Sequence, residues 1–203
     1  MEQQIELTHT KAGLSLTLGP NNEMAFRRDL LLDQADWPGW DLRALADNIT
    51  AEWKGAERWE ADRYRLAPGE ARNGRRGCVG RIQDGLRADL FFERKRRKGQ
   101  LRRYCYPIFF VDREPGGSNR QFRIGERCTY GLAYTRAVAH YAKQRNLGPQ
   151  QTIQALCRIP PRALFFDIMS HRQAQGYELS ADRVMAKLGL PNEQNASSVG
   201  HAA

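Results

Sequence analysis

Between Leu86 and Tyr141 the spacing of apolar residues changes from two to three-and-four, and this change constrains the fold more than any other feature. Leu86, Ala88, Leu90 and Phe92 fall on one face of a period-two strand, with Arg87, Asp89 and Glu93 opposite. The run Arg94-Lys95-Arg96-Arg97-Lys98-Gly99 reads as a basic turn, after which Leu101 to Val111 sends Tyr104, Tyr106, Ile108 and Phe110 to one side of a second strand. Pro107 lacks a ladder donor, which puts it at an edge or a bulge. A turn over 112–119, containing Pro115-Gly116-Gly117, leads to a short third strand over 121–125, with Phe122 and Ile124 inward and Arg123 outward. Thr129 then caps a helix whose Tyr130, Ala133, Tyr134, Ala137, Val138 and Tyr141 share one face. Arg136, His140 and Lys143 take the solvated face, and Asn146-Leu147-Gly148-Pro149 supplies a glycine stop and a proline.

The expected fold class is therefore α+β: a three-stranded antiparallel sheet packed on one amphipathic helix, flanked by a small N-terminal α/β module and a helical C-terminal module. In the N-terminal module, 1–71, Ile5 and Leu7, then Leu14, Leu16 and Leu18, predict a hairpin about His9 to Gly13. Asp41 caps a helix with Leu42, Leu45, Ala46, Ile49 and Trp53 on one stripe, and Trp53 and Trp59 read as core residues. The turn-rich stretch Pro68 to Gly74 marks a boundary, and the sheet and helix occupy 72–148. Three short helices fill 149–191: one from Pro149, one from Pro161 to Gly176, and one capped by Ser180 and ending at Gly189 and Pro191. The tail, 192–203, is small and polar and reads as disordered.

Charge bears on function. The chain carries a net charge of +9, yet 1–71 is net −5, 72–136 is net +11 and 137–203 is net +3. So basic a centre beside an acidic N-terminal third is suited to a polyanion, whose counterions are released on binding. The alternative is a solvated basic face or a surface for an acidic protein. No apolar run is long enough to cross a membrane and the N-terminus lacks the pattern of a signal peptide, so a soluble, cytoplasmic protein without a membrane partner is expected, nucleoid-associated if it binds DNA. Cys78, Cys105, Cys128 and Cys157 are too widely spaced for a local ligand pair, and reduced, unliganded thiols are expected.

Leu86 to Leu147 resembles the APETALA2-type DNA-binding domain and the related arm-binding domain of phage integrases. The likeness is carried by Phe122-Arg123-Ile124-Gly125, then Thr129, and then Ala133, Ala137 and Tyr141 along the helix. The chain departs from that pattern in the long turn before the third strand, in Gly131 where the family usually has acidic residues, and in lacking sheet tryptophans. The resemblance implies a sheet laid into the major groove of double-stranded DNA. By position, Arg87, Arg103 and Arg123 are the outward strand residues near base edges, and Arg94, Arg96, Arg97, Lys98, Arg113 and Arg120 lie in or beside turns, suited to phosphates. The competing reading is that Arg103 and Arg123 pair with Asp89 and Glu93 across strands. A phage or mobile-element regulator or accessory factor would have this build.

Two other classes stay open. An RNA- or ribonucleoprotein-binding adaptor or inhibitor would use the basic hairpin, with Tyr104, Tyr106, Phe109 and Phe110 near arginines. A metal-dependent nuclease would use Glu93-Arg94-Lys95 as an E-x-K motif with Asp84 upstream, although no helix supplies a further acid. His9, His140, His171 and His201 are isolated and suit neither zinc nor a nucleophile's base, and Gly116-Gly117 opens no helix, so a non-enzymatic protein without a cofactor is expected. The C-terminal helices, 149–191, are available for a protein partner or self-association.

Overall fold

The computed structural model describes residues 5–11, 13–19, 24–55, 79–97, 99–112 and 119–190, without the side chain of Arg97. The chain is α+β. Strands β1 (Ile5–Thr10), β2 (Gly13–Leu18) and β3 (Arg28–Asp33) form one antiparallel sheet in that order. After helix α1 (Leu42–Gly55), strands β4 (Arg81–Gln83), β5 (Leu86–Arg97), β6 (Gln100–Val111) and β7 (Arg120–Arg123) form a second, also antiparallel. Helices α2 (Tyr130–Gln144), α3 (Pro149–Cys157), α4 (Leu164–Ala174) and α5 (Ala181–Lys187) complete the described chain. The three strands expected in the centre are present, and the short β4 joins them along β5.

Local chemistry explains most of these elements. Asp41 accepts from the backbone N–H of Arg43 at 2.9 Å and of Ala44 at 3.2 Å, which satisfies donors that open α1. Thr129 accepts from Leu132 N at 3.4 Å and caps α2. That helix ends at Asn146, whose φ of 50° is the left-handed conformation that asparagine tolerates, while Gly148 keeps an ordinary φ of −70° and starts α3. The stop anticipated at the glycine is thus made two residues earlier. Pro107 sits where β6 has β5 on one side and lies just ahead of the first β7 pair, Ile108↔Arg123. Its carbonyl accepts from Ile124 N at 2.9 Å, so its missing donor also faces that side and no bond to β5 is lost.

Helix α2 is buried between the two sheets. Toward the first, Thr135 Oγ1 donates to Leu31 O at 2.7 Å, and Gly131 lies so close to β3 that a Cβ there would meet Asp29 O at 2.4 Å. Toward the second, Phe109 packs edge-on against Tyr130 and Tyr134, with ring centroids 5.3 and 5.0 Å apart. Arg136, expected on a solvated face, donates to Asp36 at 2.7 Å. Trp53 is 1% exposed, and its indole N–H donates to Cys157 O at 3.3 Å, fixing α1 to α3. The buried Arg162 donates to Leu188 O at 2.9 Å, pairs with Asp29 on β3, and lies over the Tyr130 ring at 4.8 Å. Buried residues from Leu14 to Leu190 consequently form one hydrophobic cluster, to which all three expected segments contribute. The boundary stretch Pro68 to Gly74, Trp59, Cys78 and the tail lie outside the described residues. Among the described residues no helix is long and apolar enough to cross a membrane.

Candidate nucleic-acid interface

Strands β5 and β6 pair over their whole length, from Leu86↔Val111 to Arg97↔Gln100, whereas β7 covers only 108–111 and β4 only the start of β5. The outer half, from Glu93↔Tyr104 outward, is a two-stranded ribbon that extends roughly 15 Å at the usual strand rise. Arg94 to Arg97, expected in a turn, are extended strand residues. Lys98 and Arg113 lie outside the described residues, and of Arg97 only the backbone is described.

The register assigns each cation to a face. Leu86, Ala88, Leu90, Phe92, Arg94 and Arg96 share the α2-side face with their β6 partners Val111, Phe109, Pro107, Cys105, Arg103 and Leu101. Arg87, Asp89, Phe91, Glu93 and Lys95 share the other face with Phe110, Ile108, Tyr106, Tyr104 and Arg102. Arg123, opposite Ile108, joins that second face. The structure therefore brings Arg87 and Arg123 together on the outer face and places Arg103 on the opposite one. Tyr104, Tyr106, Ile108 and Phe110 do share a side, but it is the side of Arg87 and Arg123, and Phe109 is the aromatic buried under α2 at 0% exposure.

The arginines at the base of the sheet are held by neighbours. Arg87 pairs with Asp112, lies 3.8 Å from Asp89 and covers the Phe110 ring at 4.0 Å. Arg123 donates to Glu93 at 3.2 Å and lies over Phe91 at 4.7 Å and Tyr106 at 5.1 Å. Arg120 lies over Phe122 at 5.5 Å. Arg103 reaches Glu178, beyond α4, at 3.1 Å rather than a carboxylate across the strands. Asp89 is taken by Arg172 of α4 at 2.7 Å.

Farther along the ribbon the balance changes. Arg94 stands opposite Arg103 on one face, and Lys95 stands opposite Arg102 on the other, so two successive rungs carry like charges. Directly opposed like charges destabilise a ladder. Lys95 is relieved by Glu93 at 3.0 Å and Arg103 by Glu178, but Arg94, Arg96 and Arg102 make no ion pair among the described residues. Arg102 escaped the sequence reading, although its place beside Arg103 in a basic strand was the available signal.

The E-x-K arrangement does not assemble. Asp84 lies in the β4–β5 turn beside Arg81 at 3.2 Å and Arg145 at 3.9 Å, while Glu93 is seven residues up β5 from Leu86, roughly 23 Å away along the strand. The Lys95 hydrogen bond, followed by the charge of Arg123, holds the Glu93 carboxyl below its usual range, so it remains an ion-pair anion. Among the described residues no cluster of three or more His, Cys, Asp or Glu side chains could hold a metal ion. Comparison with protein-family models, curated proteins and solved structures finds no match to this chain.

Proposed function

We propose that this protein binds double-stranded DNA without catalysing a reaction on it, and that the β5–β6 ribbon is the element that enters a groove. The observation that carries this reading is the pair of like-charged rungs, Arg94↔Arg103 and Lys95↔Arg102, followed by the exposed Arg96. Such an arrangement costs ladder stability in isolation and is stabilised when a polyanion lies along it. A two-stranded ribbon fits the B-form major groove, about 12 Å wide, with side chains from its two faces reaching base edges and phosphates. Arg94, Arg96, Arg102 and Arg103 are the proposed DNA contacts. Arg87 and Arg123, held by carboxylates and rings, set the direction in which the ribbon leaves the sheet. The resemblance over 86–147 favours the same partner but would place the sheet face itself in the groove.

The test is a titration of duplex DNA across a salt series with the full chain and with Arg96→Ala/Arg102→Ala. Affinity should fall by about 0.9 log units per log unit of salt for each phosphate neutralised, and the double variant should lower that slope by about two. An affinity that ignores salt, or a double variant with an unchanged slope, would sink the proposal. Tighter binding to single-stranded RNA that is lost on Tyr104→Ala would favour the adaptor reading instead.

A further inference from the structure

The α2-side face of the ribbon has a second neighbour. The segment from Gln175 through α5 crosses beside it and encloses a cavity of about 430 Å³, a size usual for small-ligand sites. Phe92 of β5 stacks on Tyr177 with ring centroids 4.7 Å apart and planes 29° from parallel, Arg172 lies over the same ring at 5.6 Å, and Tyr177 is still 45% exposed. Cations line both sides: Arg94 and Arg103 from the ribbon, Arg183 and Lys187 from α5, the last two one helical turn apart.

These cations are not matched by the acids present. Glu178 is taken by Arg103, and Glu93 by Lys95 and Arg123. Arg94 and Arg183 make no ion pair among the described residues, and Lys187 uses its ammonium on Cys105 O and the Tyr106 ring at 3.8 Å, not on a carboxylate. Burial holds the Lys187 amine below its usual range, and it holds the Cys105 thiol up at about 11, so the thiol adds no negative charge near neutral pH. The cavity thus joins an aromatic platform to positive charge that lacks an anion. The Arg103 and Glu178 bridge spans its two walls at an exposed position, where an ion pair contributes little and can yield to a ligand.

We infer that this cavity binds a nucleoside monophosphate, its base against the exposed part of the Tyr177 ring and its phosphate between Arg183 and Arg94. The planar base answers the ring platform and the phosphate answers the guanidinium pair, each of which recognises its group by geometry as well as charge. The site shares Arg94 and Arg103 with the proposed DNA contacts but not Arg96 or Arg102, which do not line it, so a variant of those two separates the two activities.

The experiment is calorimetric titration of the full chain with adenosine 5′-monophosphate, with adenosine and inorganic phosphate as separate probes. The monophosphate should bind at least about tenfold more tightly than either probe, and Tyr177→Ala and Arg183→Ala should each weaken it by about tenfold. Both positions are exposed, so their melting temperatures should match the parent's. Arg96→Ala/Arg102→Ala should bind the monophosphate as the parent does. The inference fails if the monophosphate binds no more tightly than phosphate, if the two cavity variants bind like the parent, or if the ribbon variant loses the monophosphate along with DNA.

Discussion

Arg123 and Glu93 lock the base of the ribbon to the edge strand: the guanidinium of β7 donates to the carboxylate of β5 at 3.2 Å across the intervening β6. Two rings, Phe91 and Tyr106, lie beneath the same guanidinium. The link spans three strands at the level where β7 ends and β5 and β6 continue as a pair.

Arg123→Lys keeps the charge but loses the planar group that stacks on both rings. It should weaken DNA binding about equally for all sequences and leave the salt slope unchanged, because no phosphate contact is removed. Fluorescence titrations with two unrelated duplexes check this. A loss confined to one sequence would instead make Arg123 a reader of bases.

The Glu93 carboxyl is held below its ordinary range by the Lys95 hydrogen bond first and the Arg123 charge next. Because the folded value is the lower one, the ion pairs contribute stability above the unfolded carboxyl range and lose it as pH falls through the folded value. Thermal melts from neutral to acid pH should show a decline that is smaller in Glu93→Gln than in the parent. Parallel curves would remove Glu93 from the acid transition.

Burial pushes the Cys157 thiol up to about 12 from an ordinary 9.0, with Glu52 adding to the shift. The unfolded chain releases this proton first, so the contribution is complete below about pH 9 and is lost as pH rises toward 12. Melts above pH 9 should fall faster for the parent than for Cys157→Ala, and at pH 8 the thiol should resist alkylation until the chain is unfolded.

Gly131→Ala sets helix propensity against packing. Alanine favours a helix interior by about 1 kcal/mol, but its Cβ would meet Asp29 O at 2.4 Å and Asp29 C at 2.9 Å, both backbone atoms. Moving α2 off β3 disturbs the Thr135 bond to Leu31 as well. Net destabilisation of about 1 to 3 kcal/mol is expected by denaturant titration, and a stabilised variant would show that the two elements can separate cheaply.

Legibility in the sequence followed the clarity of each local signal. Helices α1 and α2 could be read because Asp41 and Thr129 are side-chain caps followed by regular apolar spacing. The β5–β6 pair could be read from alternation, but not its length, since a basic run looks the same in a turn and in a solvated ribbon. The faces of β6 were ambiguous because Tyr104 to Val111 is apolar or aromatic at nearly every position, so period two gives no side. Strand β3, Arg28-Asp29-Leu30-Leu31-Leu32-Asp33, was missed for the same reason: its three leucines are consecutive and its pairing is set by β2 and α2. The cavity beside α5 joins residues that lie about eighty positions apart, and no local pattern announces such a meeting.

Among the described residues the outer ribbon has no strand beside either edge, and an open strand edge is the form in which chains stick to one another. The arginines and lysine along it should oppose edge-to-edge pairing of two copies, because a second ribbon would bring its own cations against them. The charges proposed to meet a polyanion should therefore also oppose association of the protein in dilute buffer. Adding excess short polyanion removes that repulsion, and the solution should then scatter more light.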